Sequence, residues 1–259
     1  LSRPFSEIEQ DALAQVEVLA TDIDDTLTTG GRLSLAVIES LSALADRGID
    51  VLLTTGRPAG ILTGLVTFLP GLTRGIAENG SVVVFPTHKP ARIMVQDVQD
   101  LKEKLKACEI EIKKRIPHAQ TTDDLYARLV DFTFELSSLS GDDRRTIDQI
   151  ATDHELTTMA STIHLHINQP GVNKGSTLVR ILDDRSTCRS TGRVLTVGDS
   201  EVDVSLFDQE LFPLSVGVAN IEPYLDGMAH RPAFITREPG GRGFLEIAVA
   251  LLQAKSQVD

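Results

Sequence analysis

Short apolar runs that stop at clusters of polar, chemistry-bearing residues constrain this chain more than any other feature. Asp50-Val51-Leu52-Leu53-Thr54 is nearly continuous in apolar residues, as expected of a strand buried on both faces of a parallel sheet. Val16-Glu17-Val18-Leu19-Ala20-Thr21 ends in Asp22, and Val194-Leu195-Thr196-Val197 ends in Gly198-Asp199. Between such runs the spacing turns helical. Ser34 can cap a helix through Arg47 whose apolar positions are Leu35, Ile38, Leu41, Leu44 and Ala45, with Gly48 at its C-terminal end. A second helix is expected over Ala59–Phe68, then a short strand at Gly75-Ile76-Ala77. Strand and helix in alternation predict an α/β fold with a Rossmann-like parallel sheet.

Asn79-Gly80 is a hairpin signal and precedes an apolar strand from Ser81 to Phe85. The texture then changes. From Thr87 to Asn168 the order reads strand, helix, strand, helix and two strands, with helices over Asp97–Ile116 and Asp142–His154. The long strand is Tyr126–Leu136 and the closing hairpin is Leu156–Ile167. Such a run predicts a separate α+β unit with its own core. From Gly171 the α/β texture resumes: a helix to Leu182, the strand at Val194, a helix over Glu201–Phe207, strands at Leu214–Val218 and Ala233–Thr236, and a helix over Phe244–Ala254. The expected organisation is a discontinuous core, 1–84 and 169–259, interrupted by an inserted domain over 85–168.

Charge narrows the partners. The 259 residues hold 25 Lys plus Arg against 37 Asp plus Glu, a net charge of −12. Nucleic-acid affinity rests largely on cations that neutralise phosphates, so a general nucleic-acid binder is not expected, whereas a local positive pocket for one small anion remains open. Cys108 and Cys188 stand 80 positions apart and form no disulfide framework or zinc knuckle. No apolar run approaches the roughly 20 residues that span a bilayer. Residues 1–10 carry no signal-peptide core. The expectation is a cytoplasmic protein without membrane or nucleic-acid partners, monomeric or homodimeric.

Four patterns fall at the ends of expected core strands or at helix starts, where open α/β sheets place their ligands. In Asp22-Ile23-Asp24-Asp25-Thr26, alternate carboxylates beyond a strand end can converge on one point. One could attack phosphorus if a cation offsets the repulsion between anions, and the other could protonate the leaving group. An Asx-rich turn accounts for the same residues. Thr54-Thr55-Gly56-Arg57-Pro58 offers a hydroxyl and backbone N–H groups as a phosphate cradle, or a plain turn with Thr55 as a helix cap. Gly171-Val172-Asn173-Lys174-Gly175-Ser176 places Lys174 at a helix start, either to stabilise a transferring phosphoryl group or as a solvated cation. Gly198-Asp199-Ser200-Glu201-Val202-Asp203 puts two carboxylates within one turn, an oxygen set suited to Mg²⁺ or an acidic helix cap. No single structural account covers all four.

Taken together, these motifs resemble the haloacid dehalogenase-like superfamily of aspartate-nucleophile phosphatases, over essentially the whole chain. The insert following Glu78-Asn79-Gly80 resembles the subgroup with a large α/β cap, which includes sugar-phosphate phosphatases, Cof-type phosphatases and archaeal phosphoglycolate phosphatases. The resemblance implies Asp22 as nucleophile, Asp24 as general acid and base, and Thr55, Gly56, Arg57 and Lys174 around the phosphate. It implies Mg²⁺ held by Asp22, the Asp24 carbonyl and Asp199, with Asp203 in or beside that shell and Thr26 in support. The implied substrate is a small phosphorylated metabolite, a sugar phosphate or a phosphoglycolate-like acid. A phosphomannomutase-type phosphotransferase and a non-catalytic metabolite-binding protein are the alternatives. Two positions depart from the pattern: Val202 stands where many relatives with this cap have Asn, and Asp25 where a small residue is often found.

Weaker signals lie elsewhere. His164 and His166 alternate along an expected strand and so share a face; they read as surface or substrate-facing histidines. Arg57 and Arg128 could meet a distal anionic group of a substrate or form surface ion pairs. Asn79-Gly80-Ser81 has the form of a glycosylation acceptor but lies beside the expected site. Lys102–Arg115 reads as a solvated helix face, and Gly240-Gly241-Arg242-Gly243 lacks the spacing of a dinucleotide fingerprint.

Overall fold

The computed structural model describes residues 2–183 and 190–256; Cys188 lies outside them. In chain order the strands are β1 (Arg3–Pro4), β2 (Val18–Thr21), β3 (Asp50–Thr54), β4 (Leu72–Ala77), β5 (Val82–Val84), β6 (Arg92–Ile93), β7 (Phe132–Glu135), β8 (Thr157–Ala160), β9 (His164–Asn168), β10 (Val194–Gly198), β11 (Leu214–Gly217) and β12 (Phe234–Ile235). The α-helices are α1 (Gln10–Ala14), α2 (Leu35–Asp46), α3 (Ala59–Phe68), α4 (Val98–Arg115), α5 (Gly141–Asp153), α6 (Lys174–Leu182) and α7 (Gly240–Ser256).

Nine strands form one sheet in the order β1-β12-β11-β10-β2-β3-β4-β5-β6. Every pairing from β1 through β4 is parallel; the last two, β4 with β5 and β5 with β6, are antiparallel. The α/β fold expected from the apolar runs is the fold found. Alternation along the strands shows why those runs carry so few polar residues. Leu19, Val51 and Leu53 face a core shared with Leu41 and Leu44 of α2 and Ile247 and Leu251 of α7. Val18, Ala20 and Leu52 face the opposite core with Leu178 and Ile181 of α6. A strand covered on both faces has no solvent side to mark with polar residues.

The second sheet is antiparallel, ordered β7-β9-β8. It packs with α4, which buries Leu101, Leu105, Cys108 and Ile112, and with α5, which buries Ile147, Ile150 and Ala151. The Lys- and Glu-rich side of α4 carries i,i+4 pairs such as Lys113–Glu109 and Arg115–Glu111, the solvated face its sequence implied.

Four elements differ from their sequence reading. Arg92–Ile93 lies in the stretch assigned to the insert, yet it pairs with Val82–Val83 at the edge of the larger sheet. The strand expected over Tyr126–Leu136 is confined to Phe132–Glu135, because Leu125–Ala127 form a 3₁₀ turn and Arg128 is tied to Asp124 and Asp131. Residues Glu201–Leu206 form a 3₁₀ rather than an α-helix, opened by a capping box between Ser200 and Asp203. Helix α7 starts at Gly240, four residues earlier than its apolar period. Its first glycines let it touch the loop after β2: a Cβ on Gly240 would stand 2.8 Å from the Thr28 carbonyl oxygen, and one on Gly241 2.7 Å from that of Leu27.

Candidate active site

The sheet brings the four motifs to one edge. β2 lies between β10 and β3, so Asp22, Thr55 and Asp199 leave three adjacent parallel strands at their C-terminal ends. Beyond β2 the chain turns at once, with the N–H groups of Leu27 and Thr28 both donating to the Ile23 carbonyl. Asp25 adopts φ 55°, a left-handed conformation that Asp tolerates, and its N–H donates to Thr28 Oγ1 at 2.9 Å.

Lys174, the first residue of α6, is wholly buried. Its Nζ donates to Asp22 Oδ1 and to Asp203 Oδ1, each at 2.6 Å. Burial opposes the ammonium, but Asp203 and Asp22 outweigh it and raise its pKa above the ordinary lysine value. The other oxygen of Asp203 accepts from the N–H groups of Asp199 at 3.0 Å and Ser200 at 3.2 Å. Asp203 therefore both caps its helical turn and orients Lys174; the capping and functional readings of this motif coexist.

Asp199 is held by two side chains, Thr26 Oγ1 donating to Oδ1 and Asn220 Nδ2 donating to Oδ2, both at 3.1 Å. Oxygens of Asp22, Asp199 and Asp203 lie within 4.8 Å of one another, the arrangement of a cation site. Burial is the main cause that pushes the Asp22 and Asp199 carboxyls above the usual range, with neighbouring carboxylates adding to it. A hard divalent cation fits this donor set, since it accepts oxygen ligands and offsets the charge crowded there. Asp203 already spends both oxygens on Lys174 and backbone N–H groups, so Asp22 and Asp199 are the side chains placed to ligate directly.

Asp24 stands apart from the three. Arg57 holds it by a bidentate pair, Nε to Oδ2 and Nη2 to Oδ1, each at 2.8 Å, and this pairing raises the Arg57 pKa. Arg57 is thus beside the acid rather than at a distance from it. Thr55 is buried, and its Oγ1 accepts from the Arg57 N–H at 3.0 Å. It does not cap α3: Pro58 occupies that position, and the Ala59 N–H donates instead to Glu78 Oε1 at 3.1 Å.

Hairpin β8–β9 lies over these groups. Ser161, Thr162, Ile163, His164 and His166 form its side of a pocket whose other side includes Asp22, Asp24, Arg57, Asp199 and Val202. The pocket encloses about 30 Å³, room for one or two waters. The histidine rings are 6.1 Å apart. Burial lowers both, His164 to about 4 with His166 contributing, so neutral imidazoles face the pocket near pH 7. His166 is buried, and its Nδ1 lies 3.1 Å from Asp131 Oδ2.

Arg128 contradicts its sequence reading as a substrate-facing or surface arginine. Its side chain is 1% exposed, and its guanidinium pairs with Asp131 at 2.8 Å and with Asp124 at 3.2 Å. Its Nη1 also donates to the Gly56 carbonyl at 2.9 Å. A Cβ on Gly56 would come within 3.0 Å of His166 Cε1 and 3.1 Å of both polar atoms of the Asn79 amide. Asn79 is fully buried, which removes it as a glycosylation acceptor.

Glu78 and Asn220 were not singled out by their sequence. Glu78 is fully buried at φ 50° and accepts from Ala59, Leu129 and Val130 N–H groups at 3.1, 2.9 and 2.8 Å. Burial and then Asp131 push its carboxyl up to about 7. With Asn79 at φ 50° and Gly80 at φ 111°, it forms three consecutive left-handed residues. Each non-glycine residue held so costs about 1–3 kcal/mol. Asn220 does carry a signal in retrospect, because it follows another apolar strand, β11, by three residues. Its amide joins Asp199 to the Asp25 carbonyl at 3.1 Å, and its Oδ1 accepts the Gly240 N–H at 2.9 Å.

Comparison with known proteins agrees with this geometry. A family model for haloacid dehalogenase-like hydrolases matches residues 19–127, which include the first two motifs. A phosphoglycolate phosphatase of Nitrosopumilus maritimus is 26% identical over 245 residues, covering 92% of this chain and 97% of the relative. One from Methanothrix thermoacetophila is 28% identical over 236 residues, covering 90% and 95%. The crystal structure of Thermoplasma acidophilum 0175 superposes with a TM-score of 0.74 at 19% identity, covering 91% of this chain and 98% of that one. A HAD/COF-like hydrolase of Plasmodium vivax gives 0.71 at 19% identity, covering 96% and 99%. Over about nine-tenths of its length the chain is thus similar to haloacid dehalogenase-like hydrolases in sequence and in fold.

Proposed function

We propose that this protein is a Mg²⁺-dependent phosphomonoester hydrolase that works through an aspartyl-phosphate on Asp22, with a small phosphorylated acid such as phosphoglycolate as substrate. The observation that carries the reading is the buried contact of Lys174 with both Asp22 and Asp203, beside an Asp24 that stays outside that contact. It separates one carboxylate tuned by a fixed cation from another available for proton transfer.

In this reading Asp22 attacks phosphorus and forms an acyl-phosphate as the P–O bond to the leaving group breaks. Asp24, protonated, passes its proton to the departing alkoxide. Asp24 then takes a proton from water as that water attacks the phosphorus and frees Asp22 and inorganic phosphate. Lys174 and the Thr55–Arg57 turn hold the phosphoryl oxygens as their charge shifts. Asp22, Asp199 and the Asp24 carbonyl would hold Mg²⁺, which would supply charge neutralisation when bound.

The insert, 85–168, acts as a cap in this reading. The pocket beneath the hairpin is narrow, about 30 Å³, so entry of substrate requires the β8–β9 hairpin to lift. Closure then excludes bulk water during phosphoryl transfer. The phosphoglycolate phosphatase relatives favour a short phospho-acid over a sugar phosphate. No helix among the described residues is long and apolar enough to cross a membrane, and we place the activity in the cytoplasm.

The test is hydrolysis of p-nitrophenyl phosphate and phosphoglycolate with Mg²⁺ by wild-type protein and by Asp22→Asn. Turnover by wild type and none by the variant supports the assignment; wild-type-like turnover by Asp22→Asn sinks it.

A further inference from the structure

The Thr55–Arg57 turn is gripped from two sides by groups that stand behind the pocket. On one side the N–H groups of Glu78 and Asn79 donate to the carbonyls of Arg57 and Thr55, both at 3.1 Å. The Glu78 carboxylate anchors this grip twice, in the core through the Ala59 N–H and in the insert through the Leu129 and Val130 N–H groups. On the other side Arg128, immediately before those insert residues, donates to the Gly56 carbonyl at 2.9 Å. Asp131 holds Arg128 in place and also meets His166, whose ring lies against Gly56. The product of this grip is the direction of Arg57, which leaves the turn and binds both oxygens of Asp24 at 2.8 Å.

We propose that Glu78 and Arg128 are positioning residues: they clamp the Thr55–Arg57 turn between core and insert and, through Arg57, set the place of the Asp24 carboxylate. The proposal rests on the phosphatase reading, in which Asp24 serves the leaving group. Three features of the structure support it over simple core packing. The clamp joins residues 51, 52 and 72 positions apart at a single turn. The residues on the core side are held in left-handed backbone, a conformation that packing alone does not require. And the only carboxylate that the clamped turn reaches with its side chain is the one with a proton to deliver.

The experiment is a double-mutant cycle. Arg128→Lys keeps the charge and loses the fork that holds Asp124 through Nε and Nη2 while Nη1 reaches Asp131 and Gly56; Glu78→Gln keeps the shape and cannot accept all three N–H groups. Each is made in the wild-type and Arg57→Ala backgrounds and assayed on phosphoglycolate and on p-nitrophenyl phosphate, with thermal melting to verify folding. In the wild-type background kcat/KM on phosphoglycolate, which reads the step that expels the alkoxide, should fall by about 10–100-fold. On p-nitrophenyl phosphate, whose leaving group needs little proton assistance, it should fall much less. In the Arg57→Ala background either substitution should add almost nothing, because the link to Asp24 is already cut. Equal losses on both substrates, or the same fold loss in both backgrounds, overturn the positioning role while leaving the phosphatase reading intact. If Arg128→Lys does not fold, Glu78→Gln decides by the same two criteria. A wild-type protein inert on both substrates overturns the phosphatase reading, and the positioning role falls with it.

Discussion

Replacing Lys174 by methionine removes the one cation that sits among Asp22, Asp199 and Asp203, at nearly constant side-chain volume. The formal charge of the four groups goes from −2 to −3. Each 2.6 Å contact is worth about 6 kcal/mol at an effective dielectric of about 20, most of it offset by burial of the ammonium. The balance for removing one partner of a buried ion pair is a loss of about 3–5 kcal/mol. In a chain of this size that lowers the melting temperature by roughly 10 °C. The assay is thermal unfolding near neutral pH with and without Mg²⁺, paired with a divalent-cation titration and turnover. A bound cation restores part of the missing charge, so Mg²⁺ should raise the melting temperature of Lys174→Met more than that of wild type. The variant should bind the cation at least as tightly, yet lose about 10²–10³-fold or more in kcat, the scale for removing one charge-stabilising donor. An unchanged melting temperature, or a drop that Mg²⁺ does not touch, would refute the view that Lys174 is the counter-charge of this cluster.

Asp24→Asn should cut kcat/KM on phosphoglycolate by about 10²–10⁴-fold and cut it far less on p-nitrophenyl phosphate, read from initial rates at low concentrations of the two substrates. Asn220→Leu leaves one oxygen of Asp199 without its amide donor and the Gly240 N–H without an acceptor; the expected loss is about 1–3 kcal/mol in denaturant unfolding, with weaker Mg²⁺ binding by calorimetric titration. Gly56→Ala pushes a methyl to 3.0 Å from His166 and 3.1 Å from Asn79, both held by their surroundings, so KM should rise while Asp22→Asn-like inactivity is not expected. Glu78 carries a pH signature: its folded-state pKa is raised from 4.5 to about 7, so the native state holds its proton longer than the unfolded chain, and stability falls as pH rises from about 4.5 through 7. The fall amounts to about 3 kcal/mol, and unfolding across pH 4–8 should show it in wild type and a flatter profile in Glu78→Gln.

Much of this site was legible because its residues obey a rule of position. Asp22, Thr55, Lys174 and Asp199 each follow an apolar run or open a helix, so strand ends and caps announce them before any contact is known. Asn220 obeys the same rule, but a lone amide beyond a strand matches none of the carboxylate, hydroxyl or lysine patterns that draw notice. Glu78 obeys it too, directly after the strand that ends at Ala77, yet its position does not disclose its role. Its role depends on N–H groups of Leu129 and Val130, supplied by backbone that no side-chain pattern records. Arg128 failed for a related reason: a lone arginine in sequence gives no sign of whether it faces water or is shut in by Asp124 and Asp131. The early start of α7 escapes the sequence because its apolar period begins only at Phe244, whereas Gly240 and Gly241 permit contact with the loop after β2. The strand expected from Tyr126 was too long because residue preference favours extension there and the buried ion pairs of Arg128 prevail over it.

The central place of β2, hydrogen-bonded to β10 on one side and β3 on the other, also divides the molecule by how it opens. Amides of Leu19 and Ala20 exchange only when the whole sheet comes apart, so the segment that presents Asp22 is among the last to loosen. The β8–β9 hairpin belongs to the three-stranded sheet and carries an exposed Ile163 at its turn, so it opens at lower cost. Mutational risk is divided the same way. Changes at Ser161, Thr162 or Ile163 can be sampled against a nucleophile whose scaffold does not register them, so a lineage with this architecture can revise what it accepts without first endangering what it does.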